Sequence, residues 1–301
     1  MRISTLTIQT TLRQQMSSLQ ADSAAKSEEL SSGSKASSYK AIAGSAREVS
    51  QLTADLVVSA QYSQAGESTL SRVDAMYDAV GQMVTLASDL RSSLSSVLGQ
   101  DGIAASGIDD EARTALDSAA QLLNSQFEGR YLFGGSVTDR APVDLDGYAA
   151  QSAPSGTDLS YYGGDSTRAS YQASDSLSVE YGATGDEAGF EQLIRACSLV
   201  ANASLDPVDD TALGEAYDLL GEAIDGLSTI QSGLSSSSDA IDRAIDLEMD
   251  RQLNLEGRLS DLTDADTAAV YTQLQTLSSQ LDATYSATKT LLSLNLFDSL
   301  K

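Results

Sequence analysis

The chain has 301 residues and a formal net charge of −25, and it contains neither histidine nor tryptophan. The acidic balance argues against nucleic-acid binding, because contacts with phosphates need clustered Lys and Arg. A chain without histidine cannot contain a Ser-His-Asp triad, a His metal ligand or a His general base. The sequence has no apolar run long enough to span a membrane, so we expect no membrane partner.

Residues 1–30 are predicted to form a helix with one apolar stripe, which consists of Ile8, Leu12, Met16 and Leu19. The Ser- and Gly-rich stretch 31–38 ends this helix, since both residue types favour turns over helix interiors. The first residues lack the apolar core of a secretory signal, so no cleaved signal peptide is expected.

A long helix is predicted over residues 46–98, ended by the Gly-rich stretch 99–102. Its apolar positions follow alternating steps of three and four, and Arg91 alone breaks the pattern: Leu70, Val73, Tyr77, Val80, Val84, Ala87, Arg91, Leu94 and Leu98. At about 1.5 Å per residue such a helix is on the order of 80 Å long, which predicts a rod. A stripe this narrow needs a partner helix from the same chain or from another copy.

The next helix is predicted to begin with Asp109 as its N-cap and to end at about Phe127. Its first turn holds Asp109, Asp110 and Glu111. We interpret these as charges that match the helix dipole, in preference to an acidic binding site.

The middle of the chain, from about residue 129 to 189, is rich in Gly and Tyr and is predicted to be a β-rich insertion. Alternating runs at 169–173 and 177–181 predict two strands. Residues 144–147 resemble part of a calcium loop but lack its other carboxylates, so they are interpreted as a turn. Gly134-Gly135 is not followed by Gly-Lys-Ser/Thr, so no phosphate loop is indicated.

Helices are predicted to resume near residue 186. The first contains Cys197, interpreted as a small buried hydrophobe and not as a reactive thiol. A long helix follows from Leu213 through Leu262, with a joint near 263–266. The last helix has the stripe Val270, Leu274, Leu277, Leu281, Tyr285, Thr288 and Leu292, and the apolar run 291–297 near its end calls for a partner.

The two ends of the chain are close to neutral. Residues 1–50 carry six basic and four acidic side chains, and residues 267–301 carry two of each. Segments without net repulsion can pack densely against copies of themselves, whereas an acidic middle stays solvated. The predicted assembly interface therefore consists of apolar positions at the two ends: Ile8, Leu12, Met16, Leu19, Leu274, Leu277, Leu281 and Tyr285. No catalytic, cofactor-binding or metal-binding constellation is found.

Several strings resemble the flagellin superfamily of axial flagellar proteins. The segments 1–5 and 29–33 are similar to the family's N-terminal helix and the turn after it, and 294–297 to its closing helix. One string is similar to a segment of the hook-associated protein 3 branch, the junction between hook and filament: Gly129, Arg130, Tyr131, Leu132, Phe133 and Gly134, continued by Gly135 and Ser136. The chain departs from the family after Gly33, where the usual acidic pair is missing.

The resemblance implies a mainly α fold, an elongated helical rod of N- and C-terminal helices packed as a coiled coil or bundle, with a small β-rich insertion. It divides the chain into an N-terminal helix of an inner coiled-coil domain (1–40), long helices of an outer domain (41–130), the insertion (131–186), returning outer helices (187–262) and a C-terminal inner helix (263–301).

The function implied is that of a structural component of the bacterial flagellum, a ring between hook and filament, and not an enzyme. The expected partners are copies of the chain, a hook-associated protein below, flagellin above and an export chaperone, after export by the flagellar type III route to an extracellular location. Alternatives are flagellin itself, the filament subunit, and a soluble coiled-coil scaffold.

Overall fold

The chain is mainly helical, as predicted. The computed structural model describes residues 2–35, 44–98 and 107–298, with the side chains of 7–8, 10–35, 44–98 and 107–290; part of the predicted Ser/Gly break and all of stretch 99–102 lie outside these ranges. The helices are α1 (Arg2–Ser32), α2 (Ala46–Leu98), α3 (Ile108–Leu123), α4 (Ala188–Asn202), α5 (Asp210–Thr263) and α6 (Thr267–Asp298). The strands are β1 (Gln126–Phe127), β2 (Arg130–Tyr131), β3 (Ala169–Ser174) and β4 (Leu177–Tyr181). None of the helices in the described ranges is long and apolar enough to cross a membrane.

The chain divides into two compact units. The terminal unit comprises Met1–Val58 and Arg251–Lys301, and the central unit comprises Ser59–Asp250. The long helices α2 and α5 each contribute residues to both units. By sequence, the terminal unit carries 10 basic and 11 acidic residues, whereas the central unit carries 8 and 32. Nearly all of the net negative charge of the protein therefore belongs to the central unit.

Within the central unit α2 and α5 run antiparallel. Gln231 Nε2 donates to the Tyr77 carbonyl at 3.4 Å, and Ser59 Oγ donates to the Glu248 carboxylate at 2.6 Å. The partner number on α5 thus rises as the number on α2 falls. Buried positions on both helices repeat with the heptad spacing of a coiled coil: Val73, Met76, Val80, Met83, Ala87, Leu90, Leu94 and Val97 on α2, and Leu213, Ala216, Leu220, Ala223, Leu227, Ile230 and Leu234 on α5.

This seam corrects the stripe predicted for α2. Alternate positions of the predicted stripe lie one residue too far along the helix, so Tyr77 and Leu98 are 42% and 39% exposed. The residues before them, Met76 and Val97, are buried instead. One residue turns a helix by about 100°. Periodicity could not choose between the two sets, because apolar residues often stand next to each other at these places.

Arg91 no longer interrupts the pattern, because it lies beside the seam. Its guanidinium stacks over the Tyr217 ring at 4.4 Å, and its Nε donates to the Tyr217 carbonyl at 3.3 Å. The guanidinium also covers Gly221, where a Cβ atom would come within 3.1 Å of it. Arg91 therefore closes one edge of the α2–α5 pair, with its stem on apolar surface and its charge on an aromatic face.

The helices α3 and α4 pack on each other and complete the core of the central unit. Contrary to prediction, α3 begins at Ile108 with Gly107 in the N-cap position, in a left-handed conformation and without a side-chain cap. Asp109 instead lies in the first turn and pairs with Arg113 at 2.9 Å. The acidic first turn matches the helix dipole as expected. The helix also ends earlier than predicted, since Phe127 belongs to β1.

The insertion contains the two predicted strands, now β3 and β4, which pair antiparallel with an irregularity between Gln172 and Ser174. Tyr171 of β3 is buried and its hydroxyl donates to the Tyr62 carbonyl of α2 at 2.7 Å. The segment 144–147 forms a turn in which Asp144 accepts a hydrogen bond from the backbone of Asp146. The hairpin is therefore anchored on a helix of the same unit by a buried tyrosine.

Candidate assembly interface

In the terminal unit, α1 and α6 pack against each other in antiparallel orientation. Gln20 Nε2 of α1 donates to Tyr285 Oη of α6 at 2.7 Å, and Thr288 Oγ1 donates to Met16 Sδ at 3.8 Å. Higher residue numbers on α6 thus meet lower numbers on α1. This pairing brings the two predicted apolar stripes onto helices that touch.

A short backbone ladder joins the end of α1 to the turn between α5 and α6. Lys35 N donates to the Thr263 carbonyl at 2.7 Å, and Ala265 N donates to the Gly33 carbonyl at 2.8 Å. Gly33 has a φ of +69°, a left-handed conformation that glycine adopts without steric cost. The Ser-Gly turn at 32–33 therefore fixes the direction in which the chain leaves α1.

The eight predicted interface residues are not equally placed. Six are half-buried on the two helices: Leu12, Met16, Leu19, Leu274, Leu277 and Leu281. The other two, Ile8 and Tyr285, are 48% and 46% exposed. On α6, Val270 is 4% exposed and is the most deeply buried of the described side chains of that helix. Their role in assembly stays a prediction.

The α1–α6 seam is also partly polar and open. On α1 the half-buried face continues from Leu19 to Lys26 and Glu29, which form an ion pair at 2.6 Å. A groove of about 700 Å³ lies between the two helices, with Ala25 on one side and Leu277 on the other. Two helices cannot enclose such a seam, so apolar and polar atoms along it remain accessible to further chains.

The string that resembles hook-associated protein 3 lies in the central unit and starts as a tight hairpin. Strands β1 and β2 pair antiparallel across the two-residue turn Glu128-Gly129. Both residues have positive φ, +51° and +76°, which matches the right-handed twist of a hairpin. Gly129 therefore has a conformational reason to be glycine.

The middle of the string is an anchor in the core. Phe133 is fully buried, and its ring meets that of Phe190 of α4 edge to face at 5.5 Å. Its carbonyl accepts hydrogen bonds from Gly185 N at 2.9 Å and from Tyr162 Oη at 3.0 Å. Phe133 thereby connects the β1–β2 hairpin to the middle of the insertion, at Tyr162, and to its end, at Gly185.

The two glycines after Phe133 permit close backbone approach. A Cβ atom on Gly134 would lie 2.2 Å from the Val137 carbonyl oxygen, and one on Gly135 would lie 2.2 Å from that of Asp165. The Asp165 carboxylate accepts hydrogen bonds from the Ser136 hydroxyl and backbone N–H, which lower its pKa. The three glycines, Phe133 and Ser136 of the string are therefore explained by the turn and by packing within the chain.

A buried ion pair that was not predicted from the sequence holds the segment after Pro154. Arg195 Nε lies 2.9 Å from the Glu191 carboxylate, and both side chains are almost fully buried. Glu191 also accepts from Asp158 N at 3.0 Å, while Arg195 Nη1 donates to Ser155 Oγ at 3.2 Å. The i, i+4 spacing of the two charges was the available signal.

The central unit also buries Cys197 completely, as predicted, and desolvation raises the pKa of its thiol to about 12. Among the described residues no group of three or more Cys, Asp or Glu side chains could hold a metal ion.

Comparison with known proteins gives a result only at the level of structure. No family model matches the sequence, and no curated protein matches it significantly. A solved structure from Vibrio parahaemolyticus, provisionally identified as a flagellar hook-associated protein, superposes with a TM-score of 0.60 over 72% of this chain and 96% of that one. The two chains share a fold. Their sequences are 13% identical, so the likeness is one of fold alone.

Two other solved structures align more loosely. Bacillus cereus FlgL is 17% identical, with 71% of this chain and 96% of that chain covered and a TM-score of 0.44. Flagellar hook-associated protein 3 from Legionella pneumophila is 10% identical, with 80% and 100% covered and a TM-score of 0.44.

Proposed function

We propose that this chain is a structural subunit of the bacterial flagellum, without catalytic activity, that forms a ring of copies at the junction of hook and filament. The observation that carries the proposal is the fold shared with the Vibrio protein, which covers nearly all of that chain. The string 129–136 supports the same assignment independently, since its resemblance lies in the order of its residues and not in the fold.

The physical character of the terminal unit supports self-assembly. Its net charge is −1, from 10 basic and 11 acidic residues, so copies of it do not repel one another strongly. Its helices α1 and α6 share a seam in which leucines such as Leu12 and Leu277 remain half-buried. Burial of this remaining apolar surface against neighbouring copies would favour association.

The partners follow from this location. In the proposal, a hook-associated protein lies on the hook side, flagellin on the filament side, and an export chaperone binds the chain before type III export. The acidic central unit faces solvent outside the cell, where its net charge of −24 keeps it hydrated.

The direct test is to image flagella of a strain that lacks this protein. We expect hooks without attached filaments and flagellin released into the medium. Labelled protein in a complemented strain should lie at the base of the filament. Normal filaments in the deletion strain would overturn the proposal.

A sharper test introduces a charge into the α1–α6 seam. Leu277→Asp places a carboxylate at a half-buried position of that seam, which costs free energy when neighbouring chains remove the remaining water. We expect expression and export without incorporation. Leu177→Asp is the matched control, because Leu177 is 41% exposed at the start of β4. Full motility of the Leu277→Asp strain would contradict the assembly role.

Flagellin remains the alternative, because the terminal strings resemble the whole superfamily. Copy number separates the two functions, since a filament contains far more subunits than a ring. Quantitative mass spectrometry of sheared filaments should find the chain at a small fraction of the major subunit. A chain that forms the bulk of the filament would be flagellin.

A further inference from the structure

One cavity in the central unit has a charge opposite to that of its surroundings. The unit carries a net charge of −24 and eight arginines, yet three of these, Arg72, Arg130 and Arg168, line a single cavity of about 400 Å³. This volume falls in the range of small-molecule sites.

Arg130 is the cation best placed to receive a ligand. Its Nε donates to Thr138 Oγ1 at 3.3 Å, and within the described residues it forms no ion pair and its two terminal nitrogens donate to no protein group. An arginine in this state presents two parallel N–H donors, the arrangement that a carboxylate accepts in bidentate fashion.

Arg72 lines the same cavity and is only partly satisfied by its neighbours. Its side chain is 20% exposed; Nη1 donates to Tyr181 Oη at 2.9 Å, and Nη2 lies 3.9 Å from the Glu128 carboxylate. Its Nε is buried and has no partner among the described residues. A buried donor without an acceptor costs free energy, and Nη2, which makes no hydrogen bond within the described residues, is the Arg72 donor left to contact an anion.

Two carboxylates face lining arginines, since Glu187 lies beside Arg168 and Glu128 lies 3.9 Å from Arg72, which leaves Arg130 as the lining arginine without an ion pair among the described residues. Glu187 pairs with Arg168 at 3.0 Å, Asp165 accepts from Ser136, and Glu128 is 61% exposed. These acids still repel a doubly charged anion more strongly than a singly charged one. The cavity therefore favours a carboxylate over a phosphate.

The remaining lining supplies hydroxyl groups and aromatic rings. Among the lining residues are three threonines, Thr138, Thr167 and Thr184, and two tyrosines, Tyr131 and Tyr181. Hydroxyls can both donate and accept hydrogen bonds, so they suit a ligand that itself carries hydroxyl groups.

We propose that this cavity binds a small hydroxycarboxylic acid of about monosaccharide size, with its carboxylate held by Arg130 and Arg72 and its hydroxyl groups contacting the threonines. This inference is independent of the proposed flagellar role. It assigns the arginine of the 129–136 string to a ligand, while the glycines and Phe133 of that string serve packing.

Isothermal titration calorimetry of the full chain with D-glucuronate tests the proposal at low salt. We expect saturable binding of D-glucuronate. D-glucose, which lacks the carboxylate, and acetate, which lacks the hydroxyls, should each bind more weakly, by a factor of about ten or more. Added NaCl should weaken binding, since the arginines are partly exposed to solvent. Absence of saturable binding would overturn the proposal, as would inorganic phosphate that binds more tightly than glucuronate.

Two variants locate the site. Arg130→Gln should weaken glucuronate binding about tenfold or more, while Arg140→Gln should leave it unchanged. Arg140 is a matched control because it donates to the Gly163 carbonyl at 3.1 Å and does not line the cavity. If Arg130→Gln perturbs the circular dichroism spectrum, Arg168→Gln is used instead, and we again expect weaker binding of glucuronate. Unchanged affinity in a folded cavity variant would refute the site.

Discussion

The two units are made of the same kind of helices but are stabilised to different degrees. In the central unit a heptad seam, two further helices and an aromatic cluster enclose a continuous core, and the largest fully buried side chains, among them Phe133, Met83 and Tyr161, all belong to it. In the terminal unit the described buried hydrophobic residues are few: Val49, Leu52, Leu255 and Val270. Apolar burial is the main favourable term in folding, so the central unit is the one equipped to hold itself together.

The two units also differ in net charge, and the unit with the larger core carries the larger net charge. The central unit has a core and a net charge of −24, whereas the terminal unit has no comparable core among its described residues and has a net charge of −1. Self-repulsion destabilises a compact state and opposes association. A unit with a large core can tolerate it, but a unit that needs neighbours cannot. Each unit's net charge therefore matches the source of its stability.

Hydrogen exchange should show the largest difference between the units. In the free monomer we expect backbone amides of α4 to exchange about a thousandfold or more slowly than those of α1 and α6, because exposed helices open locally at small free-energy cost. Mass spectrometry of exchanged peptides from the full chain measures this. Equal protection of α6 and α4 would show that the terminal unit is stable without partners.

Two side-chain truncations, one in each unit, should lower the free energy of unfolding by different amounts. Phe133→Ala removes a fully buried ring and its edge-to-face contact with Phe190, so we expect a loss of about 3–5 kcal/mol in the free energy of unfolding. Leu277→Ala removes a half-buried side chain in the terminal unit and should cost roughly 1 kcal/mol in the monomer. Urea denaturation followed by circular dichroism gives both values. A larger effect at Leu277 would reverse the proposed ranking of the units.

A glycine pair tests how tightly the central helices approach. At the contact of α4 and α5, a Cβ atom on Gly226 would lie 2.9 Å from Gly189 Cα. Gly226→Ala should therefore cost about 1–3 kcal/mol by overpacking. Gly233→Ala on the same helix meets nothing within 4 Å and should stabilise by roughly 0.5–1 kcal/mol through helix propensity. Stabilisation by Gly226→Ala, as by Gly233→Ala, would mean that the close approach of the two helices is not essential.

The sequence was sufficient for the type and order of the long elements. Periodicity and Gly/Ser punctuation predicted the long helices and the two strands of the insertion. The register of α2 was wrong because Met76 and Tyr77 are both apolar, and a wide apolar face contains more than one stripe of the same period. Which stripe of α2 is buried depends on the position of the partner helix, and the sequence of a single segment does not reveal that position. The hairpin of β1 and β2 was missed because two-residue strands carry no periodicity of their own.

The two candidate sites could be predicted from the sequence to different extents. The stripes of α1 and α6 could be read from spacing, but their partial exposure depends on how many helices surround them. The string 129–136 was recognised by resemblance, and its physical basis lies in long-range contacts. Gly135 contacts Asp165, and Phe133 contacts Phe190. No local pattern links residues 30 or more positions apart.

The smallest expected effect concerns two aspartates, one in each unit. The pKa of Asp165 is lowered by hydrogen bonds from Ser136 and Thr167, and the pKa of Asp264 is lowered by those from Ser260 and Thr263. A folded-state pKa below the unfolded value of about 3.9 contributes stability above that value. That contribution is lost as pH falls through the folded pKa.

Asp165→Asn should therefore destabilise the central unit at neutral pH, and the difference from the unchanged chain should vanish in acid. Asp264→Asn should leave the main unfolding transition in place and only speed hydrogen exchange around the α5–α6 turn, because that aspartate belongs to the terminal unit. Urea titrations at several pH values, with exchange measured in parallel, check both. If Asp264→Asn lowers the main transition as much as Asp165→Asn does, the two units unfold together and the contrast between them fails.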